Sequence, residues 1–124
     1  MLTVQTTLGT VRGKDINGCH TWFGIPFAKA PVGELAYRHP QPPETWEGVR
    51  DATHPSANPV QANGKHSLKN ADRDCLYLNV FAPQESKSPL PVMVWFYGGS
   101  YKEGGAGAPE KGSGETVCVR LPRE

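Results

Sequence analysis

No stretch of this chain stays apolar for long. The longest uninterrupted run, Val92-Met93-Val94-Trp95-Phe96, has 5 residues, where a helical membrane span needs about 20. The opening residues, Met1-Leu2-Thr3-Val4-Gln5-Thr6-Thr7, lack the basic start, apolar stretch and cleavage site of a secretory leader. Charge of one sign is missing too: 13 Lys+Arg face 12 Asp+Glu, which excludes the basic field that advertises a nucleic-acid partner. Core formers are scarce. Leu, Ile, Val and Phe number 24 of 124, at the lower edge for a globular chain, although the small net charge argues against disorder. The 3 cysteines, at positions 19, 75 and 118, lie too far apart for a metal knuckle or redox dithiol, and their odd number leaves at least one unpaired. No Asn-x-Ser/Thr sequon occurs. The expectation is a cytoplasmic chain with free thiols, no membrane partner and no metal.

What the chain has in excess is turn formers. Glycine and proline together number 26, roughly a fifth of the residues against a usual share of about 12%. A length of 124 residues allows one domain at most, and this composition predicts a thin core with much of the backbone in turns. Thr3-Val4-Gln5-Thr6 and Thr10-Val11-Arg12-Gly13 flank Leu8-Gly9 at hairpin-like spacing. Ile16-Asn17-Gly18 supplies a second turn before a strand at His20-Thr21-Trp22-Phe23, so a small antiparallel meander is expected. Prolines 26, 31, 40, 42, 43, 55 and 59 exclude a long helix or central strand between Ile25 and Val60. Trp22, Phe23, Phe27, Tyr37 and Trp46 interleave with them, as in an ordered connection packed on something larger. Residues 61–72 are polar and read as an exposed loop.

Two more strands follow. Cys75-Leu76-Tyr77-Leu78-Asn79-Val80-Phe81 alternates, with Leu76, Leu78 and Val80 on one face and Cys75, Tyr77, Asn79 and Phe81 on the other, and Pro83 closes it. Pro91-Val92-Met93-Val94-Trp95-Phe96 is apolar on both faces, the pattern of a strand buried on both sides of a sheet. Trp22, Trp46 and Trp95 all read as packing residues. A last strand-like piece is Thr116-Val117-Cys118-Val119-Arg120-Leu121.

The chemistry concentrates where the apolar strand ends, at Tyr97-Gly98-Gly99-Ser100. Ligands of open α/β sheets bind beyond the carboxyl ends of strands. Glycines there let the backbone approach a ligand and aim N–H groups at it. Such donors hold the oxyanion of an acyl-transfer intermediate, an interaction worth about 3–4 kcal/mol per donor. The same residues equally fit a plain turn that changes direction. Other motifs fail: Gly13-Lys14 and Gly64-Lys65 lack the P-loop spacing, Gly105-Ala106-Gly107 lacks the dinucleotide fingerprint, and no cofactor is expected.

Five segments, in order and in register, carry a resemblance. They are Gly9-Thr10-Val11-Arg12-Gly13; Phe23-Gly24-Ile25-Pro26-Phe27-Ala28-Lys29-Ala30-Pro31-Val32-Gly33-Glu34-Leu35; Pro42-Pro43-Glu44-Thr45-Trp46-Glu47-Gly48-Val49-Arg50-Asp51-Ala52-Thr53; Asp74-Cys75-Leu76-Tyr77-Leu78-Asn79-Val80-Phe81-Ala82-Pro83; and Pro91-Val92-Met93-Val94-Trp95-Phe96-Tyr97-Gly98-Gly99. Together they resemble the N-terminal part of the type-B carboxylesterases, the family of para-nitrobenzyl-esterase-like enzymes and cholinesterases. The resemblance implies an α/β fold, the N-terminal portion of an α/β-hydrolase: β meander, Pro-rich connection and the first strands of the central sheet. It implies hydrolysis of small-molecule carboxylic esters through a serine acyl-enzyme. It also makes Gly98, Gly99 and Ser100 the oxyanion turn, with the N–H groups of Gly99 and Ser100 as donors. Tyr97 stands where many members have His and cholinesterase-like members have Tyr.

Departures from the family pattern narrow the expectation. Its nucleophile sits in a Gly-x-Ser-x-Gly elbow, followed by an acid and a histidine. None of Ser56, Ser67, Ser86, Ser88, Ser100 and Ser113 has that setting, and His20, His39, His54 and His66 all precede the oxyanion turn. The chain is therefore expected to lack the triad and to be inactive alone, as an incomplete family domain over residues 1–107 with a divergent tail at 108–124. That tail is either a diverged strand or, as we expect, an unrelated end left by a frameshift or premature stop. A non-catalytic interaction module with an unknown protein partner, or a truncated product without function, are the alternatives. The family disulfide partner of Cys75 is missing from Ala57-Asn58-Pro59-Val60-Gln61, so Cys75 is expected to be a buried free thiol. Arg73 and Ala36 replace both halves of a common family ion pair, for which Asp72 or Arg38 are the candidate substitutes.

Overall fold

The computed structural model describes residues 2–61, 70–86 and 88–107. Two hairpins open the chain. Strands β1 (Thr3–Gln5) and β2 (Thr10–Arg12) pair antiparallel with Val4 opposite Val11, and β3 (Lys14–Ile16) pairs antiparallel with β4 (Cys19–Pro26) with Ile16 opposite Cys19. The second turn is Asn17-Gly18, both at positive φ (49° and 78°). That is the geometry whose twist suits a two-residue hairpin, and Asn-Gly is the pair that adopts it most readily. The expected strands are present, joined by β3, which was not expected, but they make two separate hairpins rather than one meander, because β2 and β3 belong to different sheets. One sheet has the order β1-β2-β5, where β5 (Val49–Asp51) runs parallel to β2; the other is β3-β4-β8, where β8 (Tyr77–Pro83) runs antiparallel to β4. A two-stranded parallel pair joins β6 (Asn58–Pro59) to β7 (Ala71–Asp72).

Strand β4 is the centre of the molecule because it has a neighbour on each edge and cover on both faces. Cys19, Thr21, Trp22 and Phe23 on it are all buried. Its register against β8 shifts between Trp22 and Ile25. There the Phe23 N–H leaves the ladder and donates to the Ala52 carbonyl (2.8 Å), and the Gly24 N–H donates to the Asn79 side-chain oxygen (3.0 Å). Ala52 in turn donates its N–H to the Arg12 carbonyl at 2.8 Å, which ties the two larger sheets together. The core is as thin as the composition predicts: Val11, Trp22 and Ala52, flanked by Leu2, Ile25, Trp46 and Ala82. Trp46 is held from the Pro-rich stretch by its indole N–H on the Thr10 carbonyl (2.8 Å) and its backbone N–H on the Leu8 carbonyl (2.9 Å).

As expected, no long helix forms between Ile25 and Val60; a single 3-10 turn at Gly33–Leu35 is followed by β5 and β6. Several expectations need correction. The polar stretch at 61–72 contains β7, while residues 62–69 lie outside the described residues, as do the strand expected at 116–121 and the tail from 108. On β8 the alternation holds only from Tyr77 to Val80, since Phe81 is 42% exposed, and over that stretch the apolar face is the less covered one. Leu78 and Val80 are both 39% exposed whereas Tyr77 and Asn79 are partly buried, because the inner face is occupied by groups that hydrogen-bond or stack. The largest correction concerns residues 92–96. They form no strand, and Val92, Met93, Val94, Trp95 and Phe96 are 69–89% exposed. A strand apolar on both faces needs partners on its edges and cover above and below, and the described residues provide neither. Trp95 is therefore not a core residue here, unlike Trp22 and Trp46. Cys75 is a free thiol as expected, though only partly buried, whereas Cys19 is disulfide-bonded. That corrects the expectation of free thiols throughout, the odd count leaving room for one pair.

Candidate functional site

Backbone geometry at the end of the apolar segment is shaped by Gly99. Its φ is 133°, and the carbonyl oxygen of Glu103 occupies the space a Cβ would need, so no other residue fits without moving the turn. The Gly99 carbonyl accepts the N–H groups of Lys102 (3.0 Å) and Glu103 (3.2 Å), folding the chain back on itself. Ser100 and Tyr101 follow in the left-handed region at φ 56° and 58°, a conformation that costs a non-glycine residue about 1–2 kcal/mol. Among the described residues the N–H groups of Gly98, Gly99 and Ser100 have no acceptor within the protein. Gly98 and Ser100 are exposed, so these donors are open to water, as in any surface turn, and to an anion alike. Tyr97, half-exposed, lays its ring against Gly104, where a Cβ would come within 2.7 Å of it.

The loop that carries this turn joins no sheet. Four hydrogen bonds connect residues 89–107 to the earlier described chain, and all come from amide side chains. Gln61 donates Nε2–H to the Gly104 carbonyl (2.5 Å) and accepts the Gly104 N–H at Oε1 (3.0 Å). Asn79 donates Nδ2–H to the Ala106 carbonyl (2.6 Å), and Asn58, 6% exposed, accepts the Gly107 N–H (2.8 Å). Sequence reasoning missed all three residues. For Asn79 a signal existed: a carboxamide on the face of β8 opposite Leu78 and Val80 needs partners if that face is the inner one.

Remaining polar candidates do not assemble into a nucleophile and base. A cleft of about 530 Å³ is lined by Arg50, His54, Ser56, Asp72, Asp74 and Tyr77 among others. His54 there hydrogen-bonds its Nδ1 to the Thr53 hydroxyl (2.8 Å), and no hydrogen bond joins it to Ser56 among the described residues. The Arg50 guanidinium lies 5.6 Å from the Trp46 ring and 5.8 Å from the Tyr77 ring. Partial burial, then the Asp74 carboxylate, pushes the Tyr77 hydroxyl up. His20 hydrogen-bonds Asp15 across the β3–β4 hairpin at 2.5 Å, which holds that carboxyl below its usual range. Burial, reinforced by Asp74 and Asp72, pushes the Cys75 thiol up, so it stays protonated and a weak nucleophile. Neither Arg38 nor Asp72 enters an ion pair among the described residues. The stretch near Arg38 is tied instead by Lys29 on Glu44 at 2.9 Å, and Arg12 pairs with Asp51 at 3.1 Å. No group of three or more His, Cys, Asp or Glu among the described residues could hold a metal ion, and no helix there is long and apolar enough to cross a membrane.

Residues 1–118 match the sequence model described as the Carboxylesterase family. The chain belongs to the carboxylesterase family. It is 43% identical over 129 residues to the para-nitrobenzyl esterase of Bacillus subtilis (strain 168), covering 95% of this chain and 26% of that protein. It is 40% identical over 111 residues to the fumonisin B1 esterase of Sphingopyxis macrogoltabida, covering 84% of this chain and 20% of the relative. Among solved structures, a PNB esterase superposes with a TM-score of 0.77 at 45% identity, over 82% of this chain and 22% of that one. The carboxylesterase EST55 of Geobacillus stearothermophilus gives 0.75 at 38%, over 84% and 21%. This carboxylesterase-family chain therefore spans about a quarter of the length of such relatives, and its strands are the N-terminal part of an α/β-hydrolase fold.

Proposed function

We propose that this chain supplies the oxyanion-holding turn of a domain that hydrolyses small-molecule carboxylic esters through a serine acyl-enzyme. The N–H groups of Gly99 and Ser100 donate to the oxyanion, and Gly98 permits close approach. One observation carries the reading: these N–H groups have no acceptor among the described residues, in a turn that only glycine at position 99 can form. The carbonyl oxygen of an ester gains negative charge as the nucleophile attacks, and donors already in place stabilise that charge without reorganising. Nucleophile, acid and base are not supplied by this chain, whose serines lie outside any Gly-x-Ser-x-Gly elbow. Action in the cytoplasm is part of the same proposal and rests on the sequence alone. A second reading, a non-catalytic interaction module, is favoured by one feature, the exposed apolar side chains at 92–96.

The test joins this chain in register to the remaining three quarters of the Bacillus subtilis para-nitrobenzyl esterase. The fusion should hydrolyse a p-nitrophenyl ester. Gly99→Ala keeps the N–H but must displace the turn that aims it, and should lower kcat by about 10²–10³ with KM nearly unchanged, the size of loss that follows when an oxyanion donor is taken out of place. A folded fusion without activity sinks the esterase reading, and an unchanged kcat in Gly99→Ala sinks the role of the turn. The chain alone should show no turnover above buffer.

A further inference from the structure

We infer that Gln61, Asn79 and Asn58 are positioning residues, an amide clamp that sets the backbone of residues 104–107 and through it the turn at Gly98, Gly99 and Ser100. The inference rests on the oxyanion role proposed for that turn. Residues 89–107 have no strand partner among the described residues, so their placement relative to the sheets falls to the four side-chain hydrogen bonds described above.

A carboxamide is suited to the task because it presents a donor and an acceptor together. Gln61 engages both backbone groups of Gly104, as a neighbouring strand would. Asn79 is bound on both sides: its oxygen takes the Gly24 N–H at the irregularity of β4, and its nitrogen donates to Ala106. The loop is thereby referred to the most buried strand of the molecule. Asn58 comes so close to Gly105 and Gly107 that a Cβ on Gly107 would lie 2.5 Å from its carboxamide atoms. The connection to the turn is equally direct. At Gly104 a Cβ would come within 2.6 Å of the Gly98 carbonyl and 2.7 Å of the Tyr97 ring, so moving Gly104 moves both.

Donor and acceptor can be separated by experiment. Gln61→Glu and Asn79→Asp keep the shape and the acceptor but replace the N–H donor with a carboxylate oxygen that faces a carbonyl. The readout is amide NMR of the ¹⁵N-labelled 124-residue chain. At pH 7 the Gly104 and Gly107 amides should exchange about tenfold faster, as loss of one hydrogen bond gives. Order parameters at Gly99 and Ser100 should fall from about 0.85 to below about 0.6. The Phe23 amide on β4 should keep its wild-type rate. Below pH of about 4 the carboxyl regains an O–H donor, and the difference from wild type at the same pH should close, which a restored donor at that atom predicts and a steric effect of the substitution does not.

Unchanged loop amides in both variants overturn the clamp. So does a faster loop with Gly99 and Ser100 still ordered, or a difference that persists in acid. Acceleration of Phe23 in Gln61→Glu, which touches no core strand, would mean general destabilisation and overturn it too; this variant decides if Asn79→Asp fails to fold. Failure of the oxyanion reading shows separately, as an undiminished kcat in the Gly99→Ala fusion with the loop ordering intact.

Discussion

The sheets and the glycine loop are held by different forces. From β1 to β8 the chain is fixed by backbone ladders closing over Val11, Trp22 and Ala52. From 89 to 107 it buries no large apolar side chain and depends on amide side chains. Burial is non-directional and favours any compact arrangement, whereas hydrogen bonds from fixed side chains specify a position. The role proposed for the glycine turn, N–H groups presented at fixed points, calls for the second kind of support.

Removing the support of the first region should produce the largest effect. Trp22→Ala empties the centre of the core and should cost about 3–5 kcal/mol, read as loss of a cooperative transition in denaturant. A variant that unfolds like wild type would show that the core lies elsewhere. Trp46→Phe keeps most of the packing but removes the donor to the Thr10 carbonyl; about 1 kcal/mol should be lost, with the midpoint shifted and the slope unchanged. In the second region Trp95→Ser should change stability by less than about 0.5 kcal/mol while reducing binding of a hydrophobic dye. A loss comparable to Trp22→Ala would erase the contrast between the regions.

The smallest effect concerns pH. Hydrogen bonds from His20, Lys29 and Thr53 hold Asp15, Glu44 and Asp51 below their ordinary values of 3.8, 4.5 and 3.8. Depressed carboxylates stabilise the fold fully above those ordinary values, and the contribution is lost as pH falls through the lower folded ones. The thermal midpoint should therefore be flat with respect to these groups from pH 7 to about 5 and decline only in acid. These pairs are exposed, so the decline should be small and should shrink further in high salt.

The hairpins were legible because their signals are local: Asn17-Gly18 with alternating residues on either side determines its own pairing. The parallel pairing of β2 with β5 was not, since Val11 and Arg50 meet across a Pro-rich stretch that carries no mark of its partner. The apolar run at 92–96 announces a need for cover without saying what provides it. Its burial was expected and is absent here. A turn was legible at Gly98-Gly99, and Gly99 adopts a conformation that only glycine takes easily; the role attached to it came from the resemblance. The carboxamides that hold its loop were invisible, because a hydrogen bond between residues 61 and 104 leaves no trace in spacing or periodicity.

Ala52 has a consequence for how the molecule opens. With no exposed surface, it gives its N–H to Arg12 in one sheet and its carbonyl to Phe23 in the other. Neither sheet can swing away without orphaning a buried backbone group. The two sheets should therefore unfold as one cooperative unit, with the slowest amides of β2 and β4 reporting the same opening free energy, while the glycine loop beyond them opens on its own at lower cost.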